Sequence, residues 1–219
     1  MRLVQQTKFT RKYYILNEIL NACTHGIGFG LSIAGLVILL VKGAHLDALH
    51  VVSYAIYGSM MILLFLFSTL FHSLIFTKAK KVFQVFDHAS IFLLIAGSYT
   101  PFCLLSVGGV MGWTLFVLIW LMAIAGIVYK SLTLHKAKTV SKISTIIYVI
   151  MGWLCVLAGP QLLHSLGTNG MLLLFFGGVS YTVGAVLYSL KNIRYMHVVW
   201  HLFVMLGATL MYFSVLFYT

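Results

Sequence analysis

Long unbroken apolar stretches alternate along the chain with short polar links. Seven such stretches fall near residues 19–41, 51–76, 84–106, 111–130, 142–163, 171–190 and 196–218. Each is about as long as the ~20 residues that a helix needs to cross ~30 Å of hydrocarbon at about 1.5 Å per residue. The apolar residues run continuously rather than in alternation, which predicts helices and argues against the strands of a transmembrane barrel. Lipid imposes the same choice, because a helix pairs its own backbone groups where no water is available. The links leave no room for a soluble module. The expected architecture is therefore all-α: one integral membrane domain over 1–219, folded as a seven-transmembrane helix bundle. Pro101, inside the third stretch, is expected to kink it. Two G-x-x-x-G pairs, Gly26 with Gly30 and Gly108 with Gly112, are expected to let helices approach closely.

Composition removes the other broad classes. Of 219 residues 62% are apolar and only 8% charged, against about 25% charged in soluble domains. Disorder requires the opposite balance. The net charge of +11 comes from 14 Lys and Arg, too thinly spread to make a basic face for nucleic acid. Their placement is informative instead. Arg2, Lys8, Arg11 and Lys12 precede the first stretch. Lys78, Lys80 and Lys81 lie in the second link, Lys130, Lys136, Lys138 and Lys142 flank the fourth, and Lys191 and Arg194 lie in the sixth. The other side keeps only Lys42. Cytoplasmic loops collect basic residues in this way, so the amino terminus is expected inside and the carboxyl terminus outside. Residues 1–12 and the first stretch superficially resemble a secretion signal. The stretch is too long, however, and no small-residue cleavage site follows, so it is expected to stay as a span. Cys23, Cys103 and Cys155 sit singly in three stretches and read as packing residues.

In so apolar a chain the informative side chains are those that cost most to bury. Three are acidic: Glu18, Asp47 and Asp87. Asp47 falls in an outer link, whereas Glu18 and Asp87 open the first and third stretches. An Asp at the centre of a span costs about 2.5–3.5 kcal/mol on insertion scales, so such residues are usually paired or functional. His45, His50, His135 and His164 fall in links or at span ends, and solvated roles suit them. His25, His72, His88, His197 and His201 lie within apolar stretches. Ser68 with His72, and His197 with His201, are each four apart and so share a helix face.

Depth strengthens the grouping. His72 lies six residues before Lys78, Asp87 six after Lys81, and His201 seven after Arg194. At helical rise each is roughly 9–10 Å in from the cytoplasmic boundary. Glu18, Asn21 and His25 reach a similar level from the first span. Singly, each His reads as a polar group satisfied by a neighbouring helix. Together with Asp87 at one depth, His72, His197 and His201 read as a metal site. Three His with an open position is the ligand set of catalytic zinc, and no Cys is placed to close it.

These residues also carry a family resemblance. The chain resembles the haemolysin III proteins, the bacterial branch of the progestin and adiponectin receptor family. The resemblance spans essentially the whole chain and rests on Glu18-x-x-Asn21-x-x-Thr24-His25, Ser68-x-x-x-His72, Asp87 followed by Gly97-Ser98-Tyr99-Thr100-Pro101, and His197-x-x-x-His201. It implies zinc held by His72, His197 and His201, with Asp87 contacting the ion's water and Ser68 beside the site. Relatives among the adiponectin receptors have Tyr where this chain has His88. The long amino-terminal domain of the eukaryotic receptors is missing, so hormone reception is not carried over. The wider superfamily is thought to contain intramembrane metal-dependent hydrolases.

Three functions are then in play. In the first, the protein is a zinc-dependent hydrolase of a lipid amide or ester in a bacterial plasma membrane, with Asp87 as general base and Ser68 holding water or substrate. In the second, it is a regulatory or receptor-like membrane protein with structural zinc. In the third, it is a pore-forming cytolysin, which the chain opposes: a toxin must travel through water, and the outer halves of these spans lack a polar stripe. The expected partners are membrane lipids, with no nucleic acid and no soluble protein.

Overall fold

The computed structural model of the chain describes residues 10–133, 142–190 and 193–219. Arg2, Lys8, His135, Lys136, Lys138 and Lys191 lie outside the described residues. Every regular element among those described is helical. In order these are α1 (Arg11–Ala44), α2 (Ala48–Ser73), α3 (Lys80–Pro101) with a π-helical continuation Phe102–Val107, α4 (Gly109–Thr133), α5 (Lys142–Trp153) with a 3-10 turn Leu154–Ala158, α6 (Gly159–Ser189) and α7 (Met196–Tyr218).

Six helical stretches are long and apolar enough to cross a membrane, and the fifth of them is the 46-residue Ser144–Ser189. A straight helix of that length would extend about 70 Å, more than twice the hydrocarbon core. It is not straight. Gly167 has φ 62°, a conformation open to glycine because it lacks Cβ. Trp153 Nε1 donates to Thr182 Oγ1 at 3.0 Å, and those two residues lie almost equally far before and after Gly167. The chain doubles back there as a helical hairpin.

The buried residues of α1 are Glu18, Asn21, His25, Gly28, Ser32, Gly35, Leu39 and Gly43. From Glu18 to Leu39 their steps alternate between three and four, the period of a seam that stays in contact with neighbouring helices. A Cβ on Gly28 would lie 2.7 Å from two ring carbons of Phe65 in α2, so the missing side chain makes room for that ring. The expectation for Gly26 and Gly30 is corrected accordingly. Gly30 is exposed with nothing within 4 Å of its Cβ position, and Gly26 meets only the Thr69 methyl at 3.7 Å. Gly26 therefore borders α2 without close packing, and Gly30 faces away from the neighbouring helices.

The second glycine pair also divides its work. Gly108 has φ 62° and turns the chain into α4. A Cβ on Gly112 would collide with the carbonyl of Cys103, so only Gly112 serves close packing. At Pro101 the regular α-winding stops, and Gly108 N donates to Cys103 O, five residues back, at 3.0 Å. Proline offers no N–H to the carbonyl four residues before it, and the wider winding follows.

The Gly97–Pro101 segment stitches three helices together. A Cβ on Gly97 would sit 2.7 Å from the Met60 Cβ. The Tyr99 hydroxyl shares its proton between the carbonyls of Met151 (2.9 Å) and Gly152 (3.0 Å) and accepts from the Cys155 N–H at 2.7 Å. Thr100 Oγ1 accepts from Trp120 Nε1 at 3.2 Å. Of the cysteines, Cys103 is buried, Cys155 half-buried and Cys23 exposed, and all are free.

Two charged residues at the far end also have defined work. Asp47 caps α2, accepting from His50 N at 2.9 Å. The His50 imidazole hydrogen-bonded to it holds its carboxyl below the usual carboxylate range. Lys42 Nζ donates to the carbonyls of Leu216 (2.8 Å) and Thr219 (2.6 Å), closing the last turn of α7 from the end of α1.

Candidate metal centre

The last turn of α2 supplies His72, and the first turns of α7 supply His197 and His201. Their ring centroids are 4.9, 5.0 and 4.8 Å apart. One ligand nitrogen from each lies within 4.8 Å of the other two. The spacing of four on α7 makes its two imidazoles neighbours, and α2 brings the third to the same level.

Buried imidazoles need hydrogen-bond partners, and α1 provides them. Glu18 Oε2 lies 2.6 Å from His72 Nδ1 within a buried pair. The carbonyl of Asn21 and the hydroxyl of Thr24 lie 3.2 and 3.3 Å from His201 Nδ1. His25 stacks on His201 with centroids 3.6 Å apart and planes 10° from parallel. Tyr188 meets His197 edge-on at 5.3 Å. Several buried polar atoms here have no hydrogen-bond partner: His72 Nε2, both ring nitrogens of His25 and the side-chain amide of Asn21. An imidazole nitrogen kept free, beside two further imidazoles, fits a divalent cation that favours nitrogen ligands.

The cluster opens on a cavity of about 140 Å³. His25, Ser68, Asp87, His197 and His201 are among its lining residues, and most of its wall is apolar, Ile91 and Val149 included. The structure thus brings the three expected imidazoles together and puts Ser68 and Asp87 on the wall of the adjoining space. Asp87 is half-buried and is not part of the close three-His group. Ser68 Oγ is buried and has no partner. His88 also faces the cavity, but its Nδ1 donates to the carbonyl of Gln84 at 2.6 Å, which ties the ring to its own helix.

Sequence reasoning placed Glu18 and His25 at the right depth but did not foresee what they touch. The spacing of Glu18, Asn21 and His25, three and then four, was the available signal for one inward stripe.

The model for haemolysin-III-related proteins matches residues 13–212. The chain belongs to the haemolysin-III-related family. It is 44% identical over 215 residues to Hemolysin-3 of Bacillus cereus, covering 98% of this chain and 96% of that protein. It is likewise 44% identical over 207 residues to a Hemolysin-3 homolog of Bacillus subtilis strain 168, covering 94% and 96%. At 31% identity over 166 residues it is similar to the monocyte to macrophage differentiation factor of Homo sapiens, covering 73% of this chain and 67% of that one. The family match encloses all of the cluster's residues in this haemolysin-III-related protein, from Glu18 to His201, and membership with six apolar helices makes it a multi-pass membrane protein.

Proposed function

We propose that this protein is a zinc-dependent hydrolase of an amide or ester bond in a membrane lipid, acting near the inner face of a bacterial plasma membrane. The observation that carries the reading is the convergence of His72, with its unpartnered Nε2, on His197 and His201, which themselves line a largely apolar cavity. The hairpin at Gly167 supports a seventh crossing, and an odd number of crossings agrees with basic residues gathered on one side.

His72, His197 and His201 would hold the ion. When bound, zinc would lower the pKa of its water toward about 7 and polarise the scissile carbonyl. The Asp87 carboxylate receives the proton of the attacking water as general base. The Ser68 hydroxyl, with no protein partner of its own, holds water or substrate by hydrogen bonding. The apolar walls take the acyl part of the lipid and keep bulk water from it.

Metal analysis and lipid turnover of wild type and His201→Ala test the reading together. Wild type is expected to carry about one zinc per chain and the variant to lose both metal and turnover. Full metal retention in the variant, or equal hydrolysis of every lipid tried, refutes it. One observation favours a structural ion instead: the contacts of Glu18 with His72 and of Asn21 with His201 already tie α1, α2 and α7 at this point. The fourth coordination position separates the two, since an exchangeable water belongs to chemistry and a closed shell to pinning.

A further inference from the structure

Helix α1 contributes none of the three clustered imidazoles, yet its hydrogen-bonding groups meet two of them, each time at Nδ1. On His72 the partner is a carboxylate oxygen of Glu18. On His201 one partner is the main-chain carbonyl of Asn21, which can only accept. The other is the Thr24 hydroxyl, whose own proton points to the carbonyls of Leu20 (2.9 Å) and Asn21 (3.0 Å), so toward His201 it also accepts. Acceptors alone face both Nδ1 atoms. Each of these imidazoles therefore carries a proton on Nδ1, and in its neutral form keeps its lone pair on Nε2. A neutral imidazole offers two tautomers, and the hydrogen bond at one nitrogen decides which nitrogen is left to bind a metal. The unpartnered Nε2 of His72 is the outcome on one ring.

We infer that the α1 stripe Glu18–Asn21–Thr24 positions the metal ligands by selecting the Nε2-ligating tautomer of His72 and His201. Glu18 is the positioning residue for His72, and the inference rests on the cluster being a metal site. Without an acceptor at Nδ1, a share of the His72 rings would hold their proton on the nitrogen that must bind. Such outer partners typically set metal affinity by 10–100-fold.

The experiment uses the full chain in detergent with 15N-labelled histidine, as wild type, Glu18→Ala and Glu18→Gln. Tautomers are read from the ring nitrogen shifts of the metal-free protein, and zinc affinity from competition with a chromophoric chelator. Wild type is expected to show His72 and His201 as Nδ1–H. Glu18→Ala is expected to give a mixed tautomer at His72 alone and to bind zinc about 10–100-fold more weakly. Glu18→Gln, a weaker acceptor of the same shape, is expected to fall between. Glu18→Ala with an unchanged His72 tautomer, or with wild-type zinc affinity, overturns the inference. Should that variant not fold, wild-type affinity in Glu18→Gln does so. A wild type that takes up no zinc defeats the proposed function instead, while the metal-free tautomers still decide this inference.

Discussion

Replacing Tyr99 by Phe removes one oxygen and nothing else, so its cost can be worked from the contacts of that oxygen. Tyr99 is 7% exposed, which leaves little opening for water to take the place of the hydroxyl. The hydroxyl donates one proton, shared between the carbonyls of Met151 and Gly152, and accepts the Cys155 N–H at 2.7 Å. That is two hydrogen bonds in balance. A typical net bond is worth about 0.5–1.5 kcal/mol, and within membranes side-chain bonds average about 0.6 with a maximum near 1.7 kcal/mol. Two bonds that join α3 to the end of α5 and the turn after it therefore amount to about 1–3 kcal/mol. For a chain of this size each kcal/mol moves the melting temperature by about 2–4 °C, so Tyr99→Phe is expected to melt about 2–12 °C below wild type. The assay is thermal unfolding of the purified protein in a fixed detergent, with zinc content measured alongside. Zinc content is expected to stay at the wild-type level, because this oxygen bonds to the α5 turn rather than to the imidazoles. A variant as stable as wild type, or one that loses zinc in its folded state, refutes the account of Tyr99 as a structural stitch.

Asp87→Asn is expected to keep zinc, since the three close imidazoles do not include Asp87, while lipid turnover falls about 10²–10⁴-fold; metal analysis beside a turnover assay checks both halves. Gly28→Leu is expected to destabilise by about 1–3 kcal/mol through overpacking against Phe65, whereas Gly30→Leu, with open space at Cβ, is expected to leave the melting temperature nearly unchanged. Because zinc binds neutral imidazole, acid competes with it, so bound zinc is expected to be held at pH 7.5 and released progressively on acidification, measured by equilibrium dialysis. Dye-loaded liposomes carrying the purified protein are expected to stay sealed; release that ignores chelators would instead favour the lytic reading that the Bacillus relatives' name suggests.

Most of the fold was legible because lipid makes span length a direct reading of apolar length. The last expected stretch, 196–218, matches α7 residue for residue. The expected stretches 142–163 and 171–190 fall within one 46-residue helical stretch, Ser144–Ser189, interrupted by the non-helical Gly167. Helical periodicity made the His pair on α7 visible, and distance from the flanking basic residues brought His72 to the same level. Rotation about the helix axis was harder to read. Gly26 and Gly30 have the spacing of a packing motif, but Gly30 is exposed and Gly26 only borders Thr69, while Gly28 packs against Phe65. The bond of Glu18 to His72 joins residues 54 apart in sequence. It depends on how α1 and α2 turn toward each other, which neither helix's own pattern specifies.

Lys42 was the one cation on the sparsely charged side, a lone exception to an otherwise one-sided tally. Its ammonium is bolted to the carbonyls that finish the closing helix, so it serves as an internal clasp between the first and last helices. A charge tied up in that way offers little to the machinery that reads loop cations during insertion. Substituting it should loosen the ends of the bundle while leaving the protein's sidedness in the bilayer intact.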